Sequence, residues 1–285
     1  MPKSLFSLLK AARQPNPDSI RKWSDSRVGP RGNMSSNPTK RVAVLTGAEG
    51  GIGQAVAHRL LAAGYAVALI DKQKPEFQID SGEQANVLRL EADVADDTAL
   101  QNAAGEVAAY FGGVHVLMVN AGIGPAGTVV ETGKAIWRTV VDVNLTGAFN
   151  TLQAFVPVMR ATKGARSVIL TSSVLATRGA RNMAAYSASK AGLVGLMQSA
   201  AQEFAAEGIT VNALAPGPIQ TPLLDSLPGD TLAELEQAVP LKRLGTPDDV
   251  ADAAIFLAGA GATFITGQLL VIDGGLSGRA YWRDN

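Results

Sequence analysis

The chain of 285 residues contains no cysteine. That excludes disulfides, thiol nucleophiles and Cys-ligated metals. It has only two histidines, His58 and His115, so no His-cluster zinc site is expected and no metal is assigned. Net charge is zero, which argues against a general nucleic-acid-binding surface. No uncharged apolar run approaches the roughly 20 residues of a membrane span. The stretch Val116–Val130 is uncharged but carries Asn120, three Gly and a Pro. A cytoplasmic setting is expected, without nucleic acid or membrane as partner. The length suits one large α/β domain plus an extension.

Charge is unevenly spread. Residues 1–40 hold eight Lys/Arg against Asp18 and Asp25, so this segment is +6 and residues 41–285 are −6. The segment lacks an apolar repeat, beyond a possible short helix from Ser4 to Ala12. It reads as an N-terminal extension, with residues 41–285 as the single folded domain. A transit peptide, a basic docking arm and a mis-assigned start (Met34 being the internal candidate) are its three readings. Disorder or a wrong start is preferred, because charged, apolar-poor termini seldom pack.

From Arg41 onward, strands and helices alternate. Short apolar runs at Val42–Leu45, Ala66–Ile70, Asn86–Leu90, Val114–Val119, Ser167–Leu170, Ile209–Ala213 and Leu269–Ile272 predict about seven strands. Helical spacing occurs over Ile52–Ala63, Asp96–Tyr110, Ala135–Met159, Ala184–Ala206 and Pro247–Ala258. Runs apolar on both faces, separated by helices, predict a Rossmann-like doubly wound parallel sheet with helices on both faces. Its ligand is expected outside the C-terminal strand ends.

Thr46–Gly53 (TGAEGGIG) lies between the first strand and the first helix. Gly47 suits a tight turn, Gly51 a close backbone approach to pyrophosphate, and Gly53 close helix–strand packing. The first-turn amides beside Ile52 are placed to hold phosphate charge. Asp71 ends the second strand, where a carboxylate accepts ribose hydroxyls and repels a 2′-phosphate. Glu49 adds negative charge, and Gly50 supplies no cation. The expected cofactor is therefore NAD, with NADP the alternative. Lys72 dissents, since an ammonium there can meet a 2′-phosphate; a solvated loop charge is the preferred reading. Asp93 is placed either to accept from adenine or to cap a turn.

Tyr186 and Lys190 stand four residues apart in a helical pattern, on one face. A nearby ammonium stabilises phenolate and so lowers a tyrosine pKa, which suits acid/base work near neutrality. Ser173 follows the fifth strand and faces the same crevice.

With these motifs the chain resembles the classical short-chain dehydrogenase/reductase family, from Arg41 to about Gly278. The matching elements are Thr46–Gly53, Asp93-Val94, Asn120-Ala121-Gly122, Asn144, Ser173, Tyr186 with Lys190, Asn212 through Pro216-Gly217, and Asp273-Gly274-Gly275. The resemblance implies Tyr186 as catalytic acid/base and Ser173 as substrate-orienting. It implies Lys190 on the nicotinamide ribose, lowering the Tyr186 pKa, and Asn144 holding a relay water. The Asn120 segment would line the adenine–ribose side. Pro216, Gly217, Ile219 and Thr221 would flank the nicotinamide. His115 departs from the usual Asp and is read as structural; His58 is read as surface or packing.

The implied reaction interconverts a secondary alcohol and a ketone, with a small-molecule substrate. Ile123, Pro125, Leu175, Met183 and a lid near residues 223–238 are the candidate pocket. One alternative is an NADPH-dependent 3-oxoacyl-carrier-protein reductase, with Arg160, Lys163 and Arg166 meeting the acidic carrier. The other is a non-catalytic NAD-binding regulator. A homotetramer is expected by likeness to family interfaces, through the helices Ala135–Met159 and Ala184–Ala206 and the segment Phe264–Ile272. The tail Arg279–Asn285, with Tyr281 and Trp282, is expected at a subunit boundary.

Overall fold

The apolar, β-branched run after Arg41 forms the first strand, β1 (Val42–Thr46), buried along its whole length. A computed structural model describes residues 40–278 apart from positions 81, 83 and 226–228. The arm over residues 1–39, the helix expected from Ser4 to Ala12 and the tail from Arg279 lie outside the described residues. After β1 come α1 (Gly51–Ala62), β2 (Ala66–Asp71), β3 (Val87–Glu91), α2 (Asp97–Phe111) and β4 (Val116–Val119). Then follow α3 (Lys134–Val141), α4 (Gly147–Ala161), β5 (Arg166–Thr171), the single turn α5 (Leu175–Arg178) and α6 (Ala184–Phe204). The chain continues with β6 (Ile209–Pro216), α7 (Pro222–Asp225), α8 (Gly229–Ala238), α9 (Pro247–Ala258) and β7 (Leu269–Ile272).

The seven strands form one sheet in the order β3-β2-β1-β4-β5-β6-β7. Every pairing is parallel. The strand order reverses between β1 and β4, whose C-terminal ends open a crevice on one edge of the sheet. One core packs α2, α4 and α6 on one face and includes Leu100, Phe155 and Met197. The other packs α1 and α9 on the opposite face and includes Val56, Leu60 and Leu257. Both faces are thus covered, which is why the strands read as continuous apolar runs. No helix among the described residues is long and apolar enough to cross a membrane.

The expected helix over Ala135–Met159 is not regular. Five residues, Asp142–Thr146, form a π-turn between α3 and α4. One extra residue in the ladder turns Asn144 inward, where it is fully buried. Strand β4 starts at Val116, two residues later than expected, because Val114 instead donates its N–H to Thr162 Oγ1 at 2.9 Å. Helix α9 begins as its sequence suggests: Thr246 and Asp249 form a reciprocal capping box, with Pro247 in the first turn.

Candidate active site

A cleft of about 630 Å³ opens at the C-terminal ends of β1, β2 and β4. The glycine-rich turn forms its floor. Gly47 has φ 66°, and a Cβ there would lie 2.6 Å from the Ala121 Cα. At Gly53 a Cβ would lie 2.2 Å from the Gly47 carbonyl oxygen, so helix and turn pack this closely only with glycine. Helix α1 starts at Gly51 with no side-chain cap and no acid in its first turn. The first intrahelical bond is Gln54 N–H to the Gly50 carbonyl, 2.9 Å. The amides of Gly51, Ile52 and Gly53 precede it, and all three residues line the cleft. A helix end with open amides and no competing acid fits a phosphate-bearing ligand.

Asp71 stands at the end of β2 beside this floor. Its Oδ2 accepts the Glu49 N–H at 2.9 Å and its Oδ1 the Lys72 N–H at 2.7 Å. The Glu49 carboxylate is held in turn by the Glu76 N–H at 3.1 Å. Asp93 does cap a turn: its Oδ1 accepts the Ala95 N–H at 3.0 Å. Its Oδ2 lies 2.9 Å from the Lys72 ammonium. Lys72 is thus an exposed loop charge, as the sequence suggests, and the β2–β3 register also brings it to Asp93.

Asn120 ties the two halves of the cleft together. Its Nδ2 donates to the Gly47 carbonyl at 3.0 Å, and its Oδ1 accepts the Thr171 hydroxyl at 2.9 Å. The Thr171 carbonyl in turn accepts from Lys190 Nζ at 2.8 Å. Thr46 Oγ1 accepts the Asn120 N–H at 3.1 Å, a role that nothing in the sequence pattern signalled.

Helix α6 carries Tyr186 and Lys190 on one face, both lining the cleft. The Lys190 ammonium lies 5.6 Å from the Tyr186 ring centroid. Lys190 is buried, which lowers its pKa to about 8. Burial raises the Tyr186 phenol above its ordinary value, and a hydrogen bond from Ser173 pulls it partly back. The expected lowering of this phenol by Lys190 is thus absent from this geometry. The ammonium lies over the ring and points to the Thr171 carbonyl, and burial dominates.

Asn144 and Ser173 are buried and are not among the residues lining the cleft. Asn144 Oδ1 accepts the Ile123 N–H at 2.8 Å, and its Nδ2 donates to the Ile123 carbonyl and to Ser189 Oγ, each at 2.9 Å. Ser189 passes the connection on, donating to the Tyr186 carbonyl at 2.7 Å. Ser189 and Thr171 were overlooked in the sequence, where a Ser inside a helix and a Thr ending a strand carry no separate signal.

Most of the predicted cofactor residues line this one cleft: Gly47, Glu49, Gly51, Ile52, Gly53, Asp71, Asp93, Val94, Asn120, Ala121, Gly122, Tyr186, Lys190 and Thr221. Pro216, Gly217 and Ile219 do not. Pro216 is the last residue of β6, paired with Ile272. Gly217 packs against Asp273, and Ile219 turns into a separate cavity of about 290 Å³ with Val239 and Leu241. Of the pocket candidates, Ile123 lines the cleft; Pro125, Leu175 and Met183 do not. His115 is structural, its Nδ1 accepting the Val42 N–H at 3.0 Å. His58 is exposed and edges onto Phe77, as expected of a surface residue. Arg160 is committed to Glu207 through two 2.7 Å bonds, and Arg166 to the carbonyls of Met159, Arg160 and Glu207. Lys163, the third member of that cluster, is exposed.

Residues 47–277 match the family described as "Enoyl-(Acyl carrier protein) reductase". The chain is 39% identical over 242 residues to a cis-4-hydroxycyclohexanecarboxylate dehydrogenase of Sinomonas cyclohexanicum, covering 83% of this chain and 96% of that one. Among solved structures, the ligand-free aldohexose dehydrogenase of Thermoplasma acidophilum is similar with a TM-score of 0.79 and 32% identity, over 86% of this chain and 97% of that one. A 3-ketoacyl-(acyl-carrier-protein) reductase from Brucella melitensis, complexed with NADH, is similar with a TM-score of 0.78 and 30% identity, over 83% and 98% of the two chains.

Proposed function

The chain belongs to the classical short-chain dehydrogenase/reductase family, whose members are oxidoreductases, and we propose that it interconverts a secondary alcohol and its ketone with NAD. One observation carries this reading: Tyr186, Lys190 and the open amides of α1 line a single cleft. A regulator that only senses the dinucleotide needs no such acid/base set.

The residues present fit a dinucleotide. The Gly51–Gly53 amides would hold its pyrophosphate, Asp71 its adenosine ribose and Lys190 its nicotinamide ribose. Once bound, the nicotinamide is the donor or acceptor of hydride; the protein contributes position and a proton. Ser173, buried just off the cleft lining, would orient the substrate oxygen beside the Tyr186 hydroxyl once a substrate is seated. In reduction Tyr186 gives its proton to that oxygen; in oxidation the phenolate takes it. Burial keeps the phenol protonated at neutral pH in the free protein, the state ready to donate. Lys190, at about 8, is still mostly charged there and holds the Thr171 end of the network in place.

Asp71, Glu49 and the absence of a cation at Gly50 support NAD over NADP, since a 2′-phosphate would meet like charge. Ile123 and Val143 on the cleft wall suit a ring or aliphatic chain, in line with the ring-bearing substrate named for the Sinomonas relative. The carrier-bound acyl reading has the family description and the Brucella relative's name behind it, whereas Arg160 and Arg166 are already engaged within the chain. A cytoplasmic setting belongs to the same proposal.

Tyr186→Phe tests it. The variant should bind the dinucleotide as before and lose turnover by about 10²–10⁴ on a panel of secondary alcohols and ketones. Turnover near that of the parent would remove Tyr186 from the mechanism.

A further inference from the structure

Lys72 and Lys190 are the cationic side chains lining the cleft among the described residues, and they stand at opposite ends of it. Lys190 is committed to the Thr171 carbonyl deep in the site. Lys72 is therefore the group able to receive a 2′-phosphate at the adenosine end. It stands one residue beyond Asp71, whose two oxygens are already anchored by the Glu49 and Lys72 amides.

The ammonium of Lys72 is not idle. β2 and β3 pair with Asp71 opposite Glu91, so the residues just beyond the two strand ends are neighbours. There Lys72 Nζ lies 2.9 Å from Asp93 Oδ2. The Asp93 carboxylate is itself fixed, because its other oxygen accepts the Ala95 N–H. Lys72 is 77% exposed along its side chain and Asp93 33% exposed, so the anchored partner is the acid and the mobile one the lysine. The Ala95 amide and Lys72 hold the Asp93 carboxyl below its ordinary pKa, so it remains ionised through neutral pH.

We infer that Asp93 is a positioning residue for cofactor selection, which engages the Lys72 ammonium and so withholds it from a 2′-phosphate at the Asp71 end of the cleft. The inference rests on the dinucleotide reading above. Discrimination against NADP then has two parts: repulsion by Asp71, and neutralisation of the lysine that, among the described residues, lines that end of the cleft. An exposed ion pair is weak, so the second part is modest and reversible by one substitution.

Equilibrium titration of the full chain with NADH and with NADPH, followed by dinucleotide fluorescence, separates these parts without any turnover. Asp93→Asn keeps an acceptor for the Ala95 N–H and frees Lys72. It should tighten NADPH by about two- to fivefold, the size expected of one exposed charge pair, and change NADH less. Adding Lys72→Gln should abolish that gain. Lys72→Gln alone should leave NADPH within about twofold of the parent, because its charge is already taken up. Equal weakening of both dinucleotides by Asp93→Asn would assign Asp93 to direct nucleotide contact and overturn the inference. So would a gain that survives Lys72→Gln, or a large loss of NADPH affinity from Lys72→Gln alone. A parent chain that binds neither dinucleotide would instead overturn the nucleotide reading itself.

Discussion

Asn144 shows how much one buried side chain organises. Both its polar atoms are engaged, with the Ile123 amide, the Ile123 carbonyl and Ser189 Oγ. It clamps the segment after β4 to α6. Ser189 completes the clamp, and its Ala variant leaves an Asn144 N–H without an acceptor in a fully buried place. Such an orphaned donor costs about 1–3 kcal/mol. Ser189→Ala should therefore lower the urea midpoint and, by loosening the Tyr186 turn, reduce kcat more than it changes KM. Unchanged stability would show that the amide finds another partner. In the sequence Tyr186, Lys190 and Ser173 were readable because their chemistry is distinctive at that spacing. Ser189, Thr46 and Thr171 were not, because a hydroxyl that only braces its neighbours looks like any other Ser or Thr.

At the scale of elements, the strands and long helices were legible because burial on both faces leaves an unbroken apolar signature. The π-turn was not. Asp142–Thr146 is compatible with an ordinary helix, and the bond that accompanies its expansion joins Asn144 to Ile123, a partner 21 residues away. The Lys72–Asp93 pair was hidden for the same reason, since only the β2–β3 register joins them. The start of β4 carries its own test. His115 accepts the Val42 N–H through Nδ1 and so must be neutral on that nitrogen. Burial lowers its pKa below 6.5, as do the nearby Arg41 and Arg166, while a hydrogen bond with the Lys163 backbone opposes them. A histidine with a depressed folded pKa leaves the unfolded chain binding more protons just below pH 6.5. Its contribution is present above that pH and is lost as pH falls through the folded value. Urea stability should thus decline from about pH 6.5 downward. His115→Asn should flatten that decline; an unaltered slope would place the acid sensitivity elsewhere.

At the scale of the whole molecule, two groups stand out among the apolar side chains that face solvent. Ile136, Trp137 and Phe149 stand on α3 and α4, and Phe264, Leu270 and Val271 on and beside the edge strand β7. Two separate faces on one chain suit an assembly of two-fold symmetry built through both, which supports the tetramer proposed from the family likeness. Sedimentation velocity should give a species larger than one chain down to micromolar concentration. Trp137→Glu should lower its mass by splitting one class of contact, and a monomer at all concentrations would refute the assembly. The strand order has a further consequence, for the newborn chain. β2 joins one flank of β1 and β3 extends it; β4 then joins the opposite flank, and β5, β6 and β7 follow outward. Every strand is added at a free border, and none has to be threaded between two already paired. The cost is delay: the second flank of β1 waits for about 70 residues, from Thr46 to Val116, to be synthesised. At roughly 5–20 residues per second that is several seconds to more than ten. During that interval a strand that is buried along its whole length in the finished fold lies half-covered on the ribosome, where a chaperone can shield it.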